Sequence, residues 1–179
     1  GGDDAWTRLV RHLECTPRAQ MVEAFRAFCD ARPVGGKFAH RATDRPAGSS
    51  PSMKWVNPPV AFMLQAGAPR LLAAGVSLPG LHSGDPRRIA LETYPGALAR
   101  AVLGRDSYKS DDPRKATPQR ARNRAALIDA LAIGAHPLGI VVSMSDDERM
   151  RCVDDPGADR LDAVLCLVQA AWADQRRAS

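Results

Sequence analysis

Only two short runs of this 179-residue chain read as β-strands, and every other periodic stretch reads as helix. The runs are residues 88–94 and 139–143; the first is apolar, carries Glu92, and stops at Pro95-Gly96. Short apolar runs bounded by turn residues fit strands. Strands separated by helices predict an α/β domain with parallel pairing. Two strands are too few for an independently stable sheet. The chain opens Gly1-Gly2-Asp3-Asp4, without Met. Strands lying before Gly1 would explain both features, so a single domain over 1–179, incomplete at its N-terminus, is expected.

The helices follow from apolar spacing. Trp6, Leu9, Val10 and Leu13 line one face of a helix over 4–14. A second helix opens at Pro17 with Thr16 as its cap and carries Met21, Val22, Phe25, Phe28 and Cys29. Residues 60–75 predict a third, which Gly67 and Pro69 threaten to split. Residues 96–103, 118–133 and 145–152 predict three more. The last helix is expected to start with Asp155 as N-cap and Pro156 at the first helical position, where no N–H is needed. Residues 32–59 form a long irregular segment rich in Pro, Gly, Ser and Arg. Loops of that length are functional or disordered.

Aromatic residues are only 5% of the chain, so the core falls to Ala, Leu and Val. The formal charge of +5 favours an anionic partner. The excess sits mostly in residues 105–124, and the loop over 32–59 adds Lys37, Arg41, Arg45 and Lys54. Low aromatic content argues against a stacking platform for single strands. No run of about 18 apolar residues suggests a membrane span. The four cysteines form no C-x-x-C pair and no zinc spacing, so a reducing cytoplasm is expected.

Three acids carry the chemistry. Asp159 and Asp162 stand three apart at the head of the last helix, where side chains are roughly 5–6 Å apart at Cβ. Acids favour the positive end of a helix, which makes Asp159 ordinary. Asp162 is less so, because it borders the apolar stripe of Leu161, Val164, Leu165 and Val168. Glu92 stands near the end of the first strand, and ligands of open α/β sheets bind beyond the carboxyl ends of strands. A cluster of Glu92, Asp159 and Asp162 would hold a hard divalent cation, Mg²⁺ or Mn²⁺.

These residues resemble a known family. The run Leu91-Glu92-Thr93-Tyr94-Pro95-Gly96, the later Ser107-Tyr108-Lys109 and the segment 154–163 are similar to the DUF429 family of RNase H-like nucleases. Arg41-Ala42-Thr43-Asp44 and the segment 67–75 are similar to it as well. The segment 158–163 also resembles the last motif of Holliday-junction resolvases. The resemblance implies an RNase H-like fold and a nuclease that hydrolyses phosphodiester bonds with two metal ions, about 3.5–4 Å apart in sites of this kind. Glu92, Asp159 and Asp162 match its catalytic and metal-binding acids, with Glu92 and Asp162 as the principal ligands. An Asp on the first strand has no match, so poor cleavage is expected. Lys109, Lys54 and Arg45 are candidates for phosphate contacts to DNA or RNA. A non-catalytic nucleic-acid-binding protein and a degenerate relative are the alternatives.

Overall fold

The computed structural model describes residues 2–177. Mixed α/β structure is present, mostly helical. The elements are α1 (Gly2–Cys15), α2 (Arg18–Asp30), α3 (Asp44–Ala47), α4 (Val60–Ala73), β1 (Val76–Ser77), β2 (Asp85–Ile89), α5 (Pro95–Leu103), α6 (Pro118–Ile133), α7 (Asp146–Asp154) and α8 (Asp159–Arg177). A single 3-10 turn, Pro113–Lys115, precedes α6. The chain divides into two compact units, residues 1–91 and 92–179.

In the first unit α1 packs on α4. The Gln65 amide on α4 donates to the carbonyls of Leu13 at 3.0 Å and Thr16 at 2.7 Å. Both carbonyls lie at the C-terminal end of α1, where intrahelical donors run out. Thr16 does not cap α2 as the sequence suggests. Its hydroxyl turns back to donate to the His12 carbonyl, and Pro17 stands at the N-cap with no side-chain bond. Pro69 lies inside α4 without splitting it. The two strands pair in parallel, Val76 opposite Asp85 and Ser77 opposite Ile89, with a break in register between. A Cβ on Gly84 would lie 2.5 Å from the Val76 carbonyl oxygen, so the turn into β2 accepts only glycine.

The second unit is helical around one core. Leu127, Ile128 and Leu131 of α6 meet Leu161, Leu165 and Val168 of α8, with Leu98 and Ala99 of α5 beside them. The spacing is i, i+1, i+4 on α6 and i, i+4, i+7 on α8, each one face of an amphipathic helix. The helices α6 and α7 have sequence-encoded starts. Pro118 fills the first turn of α6, the Thr117 hydroxyl accepts from the Arg120 amide, and Gly134 ends the helix at φ 69°. Ser145 and Glu148 form a reciprocal cap on α7.

Two expected elements differ. Of residues 88–94 only Arg88 and Ile89 belong to a strand, β2. Residues 139–143 keep a strand's alternation, with Leu138, Ile140, Val142 and Met144 turned to the core and Val141 exposed. They pair with no strand among the described residues; the Val142 amide donates to the Leu131 carbonyl instead. Period 2 records which side is buried, and a ladder needs a neighbour as well. No helix among the described residues is long and apolar enough to cross a membrane. The cysteines are free, with Cys29 and Cys152 buried as small apolar groups.

Candidate functional site: a carboxylate held by tyrosine and lysine

The last helix starts later than its sequence suggests. Asp155 ends α7, and Asp159 opens α8 after Ala158, a buried residue at φ 57°. The Asp155 side chain still serves the turn, accepting from the Gly157 amide at 3.2 Å and the Arg160 amide at 3.3 Å. The shift places Asp162 at the end of the first turn, where its amide donates to the Ala158 carbonyl at 2.8 Å.

Both oxygens of Asp162 are engaged. The Tyr108 hydroxyl donates to Oδ1 at 2.6 Å, and the Lys109 ammonium donates to Oδ2. The Asp162 side chain is 17% exposed and the Lys109 side chain 41%, so this ion pair is neither in bulk water nor sealed from it. Tyr108 is buried. Burial, followed by the hydrogen bond to Asp162 and that carboxylate's charge, drives its phenol far above the ordinary 10.0. Tyr108 therefore keeps its proton and acts as a fixed donor.

The segment carrying Tyr108 and Lys109 is pinned from behind by α6. Asn123 donates to the Ser107 carbonyl at 2.9 Å. Arg124, 5% exposed, donates to the Tyr108 carbonyl at 2.8 Å and the Val153 carbonyl at 2.7 Å. Burial lowers the Arg124 pKa, and the charges of Asp155 and Asp154 work against that fall. Arg124 is thus neither solvated nor laid along a nucleic acid; it ties the Tyr108 segment to the end of α7. The Ser110 amide donates to the Pro156 carbonyl at 3.0 Å and closes the same contact from the other side.

The structure does not bring the three candidate acids together. Asp159 is exposed one turn before Asp162. Glu92 is exposed and lines a different pocket, of about 310 Å³, with Leu98, Leu138, Gln169, Trp172 and Ala173. Gln169 fixes that neighbourhood by exchanging two hydrogen bonds with the backbone of Tyr94, at 2.8 and 3.0 Å. Gln169 lies seven residues beyond Asp162 on α8, roughly 10 Å along the axis at 1.5 Å per residue. Among the described residues no three of His, Cys, Asp and Glu form a group able to hold a metal ion. Lys109 also sets its positive charge where a cation would approach Asp162. The residues present do not fit a carboxylate-held Mg²⁺ or Mn²⁺.

Lys109 instead borders a cleft of about 440 Å³ with Tyr94, Arg100, Arg105 and Tyr108, and Asp106 is the one carboxylate in its lining. The Arg100 guanidinium stands 5.6 Å from the Tyr94 ring centre. A Cβ on Gly96 would meet that ring at 3.1 Å, so glycine lets Tyr94 lie across the start of α5. Of the other predicted phosphate contacts, Lys54 and Arg45 belong to the first unit. Lys54 is half-buried, its backbone bonded to Pro51 and Ala61, and Arg45 is exposed. Tyr108 was visible in sequence only as part of a short motif. No periodicity or spacing links it to Asp162, 54 residues away.

Compared with protein-family models, curated proteins and solved structures, the chain matches none.

Proposed function

We propose that this chain is an RNase H-like nucleic-acid-binding protein whose second unit grips the phosphate backbone through the cleft of Tyr94, Arg100, Arg105 and Lys109. The composition of that cleft carries the reading: two tyrosines and three cations stand against one acid. Lys109 is offset by Asp162, and Arg105 is exposed beside Asp106 in the lining. Cations at an aromatic-lined groove suit a phosphodiester strand, with phosphate contacts supplying affinity and register. The RNase H-like assignment rests on the order of the motifs at 91–96, 107–109 and 154–163.

No catalytic step is assigned to these residues. Fluorescence anisotropy of a labelled single-stranded oligonucleotide, DNA and RNA in turn, tests the reading. Affinity is expected to fall steeply with salt, with a log–log slope near −0.7 per neutralised phosphate. Arg105→Glu is expected to weaken binding about tenfold and flatten that slope. Absent binding, or binding indifferent to both salt and Arg105→Glu, would reject the reading.

A further inference from the structure

The first unit holds a pocket more basic than the cleft just described. It measures about 460 Å³ and is lined by Arg32, Lys37, Phe38, His40, Arg41 and Arg45, together with Gly35, Gly36 and Ala42. No carboxylate belongs to the lining. The nearest acid in sequence, Asp44, is fully buried and already committed. Its Oδ2 accepts from the Arg41 amide at 2.8 Å. Its Oδ1 accepts from the Arg41 guanidinium at 3.0 Å and from the Ser49 hydroxyl at 3.2 Å. Asp44 therefore neutralises and orients Arg41 from beneath.

The remaining cations are not neutralised in this way. Among the described residues no carboxylate pairs with Arg32, Lys37 or Arg45. Arg32 is nevertheless held in place. Its Nε donates to the Gly36 carbonyl at 2.6 Å, and its guanidinium lies over the Phe28 ring at 5.0 Å. That geometry spends one nitrogen of the guanidinium on the loop, while Arg32 lines the pocket. Phe38 is steadied by Trp55, edge-on at 5.7 Å between ring centres. Gly35, at φ 87°, has open space where a Cβ would stand, so backbone can be approached closely there.

We propose that this pocket binds two adjacent phosphates, as in the diphosphate of a nucleotide, with Arg32, Lys37 and Arg45 as the charged grip. Three cations left over after Arg41 is paired exceed what one phosphate matches, since a phosphate carries about −1.5 to −2 at neutral pH. Guanidinium groups suit phosphate because they present a planar fork of donors. The volume lies within the range of small-molecule sites, about 300–1,000 Å³, and Phe38 offers an apolar wall for the rest of the ligand. The proposal stands apart from the nucleic-acid reading of residues 92–179.

Calorimetry on the full chain at low salt tests it, with inorganic pyrophosphate as the first probe, ADP as the second and a single-stranded oligonucleotide as the third. Pyrophosphate is expected to bind at one site per chain. The exposed pair Lys37→Ala with Arg45→Ala is expected to weaken it by about tenfold or more, as loss of charge-assisted hydrogen bonds would. Lys109→Ala, in the other unit, is expected to leave pyrophosphate affinity within about twofold while it alters oligonucleotide binding. ADP binding at least as tightly as pyrophosphate identifies a free nucleotide as the source. No pyrophosphate binding, an unchanged affinity in the double variant, or an oligonucleotide that binds here when pyrophosphate does not would overturn the proposal. Circular dichroism matching the parent excludes misfolding of the variant.

Discussion

Residues 92–179 and residues 1–91 hold their polar groups in place by different means. In the second unit, Tyr108, Lys109 and Asp162 rest on a dense apolar core, where Leu127, Leu161 and Leu165 are fully buried. In the first, the buried apolar groups are fewer, Val10 and Met21 with the smaller Cys29, Ala61 and Ala68, and large ones such as Val34, Met63 and Leu81 face outward. What orients Arg41 in the basic loop there is a buried acid, Asp44, while Trp55 packs against Phe25 and Phe38. One site rests chiefly on volume and the other leans more on charge. They should therefore fail under different insults.

The largest effect expected is in the packed unit. Leu165→Ala, at a position with no exposure, should cost about 3 kcal/mol of unfolding free energy, within the usual range for core truncation. Urea denaturation followed by Trp172 fluorescence, in a background where the other two tryptophans, Trp6 and Trp55, are replaced by Phe, measures it. A cost below about 1 kcal/mol would mean that the core is looser than described. Asp44→Ala comes next, at about 2 kcal/mol, because it strips the charged acceptor from Arg41 and Ser49. The same measurement with Trp55 as the one tryptophan kept reports it.

Asp44 also predicts a pH signature that sharpens the contrast. Burial pushes its carboxyl up, but donors from Arg41 and Ser49 and the Arg41 charge outweigh burial, so it titrates below the ordinary 3.8. A carboxylate with a depressed folded pKa stabilises fully above its unfolded value. That contribution is lost as pH falls through the lower folded value. The first unit should lose stability in that acid window, and Asp44→Asn should flatten the loss. The smallest effect belongs to Tyr108→Phe. Removing one hydroxyl donor from Asp162 should cost about 1 kcal/mol. Oligonucleotide affinity should change less than it does for Arg105→Glu, because the phenol faces the carboxylate.

The helices were legible because period and caps are local. Thr117-Pro118 and Gly134 bracket α6 at the predicted residues. Asp155-Pro156 misled because the same pair that starts a helix can close a turn. The Asp155 side chain does both jobs from outside, and Ala158 at φ 57° marks the true start. Residues 139–143 misled because alternation shows a buried side without naming a strand partner. The acids were visible one by one, but their company was not. Asp162 and Tyr108 meet across 54 residues, and Arg124 is buried to hold that meeting. Long-range pairing of this kind leaves no local signature. The basic loop was visible from composition, although the burial of Asp44 that orients Arg41 was not.

The account stands on Asp162 having its two oxygens occupied by Tyr108 and Lys109 rather than by an ion. Titration of Mn²⁺ into the chain and into Asp162→Asn, by calorimetry at neutral pH, tests this directly. Negligible and equal heats in both are predicted. Saturable binding to the parent that vanishes in Asp162→Asn would show that Lys109 gives way to a metal, and would return the site to phosphodiester cleavage.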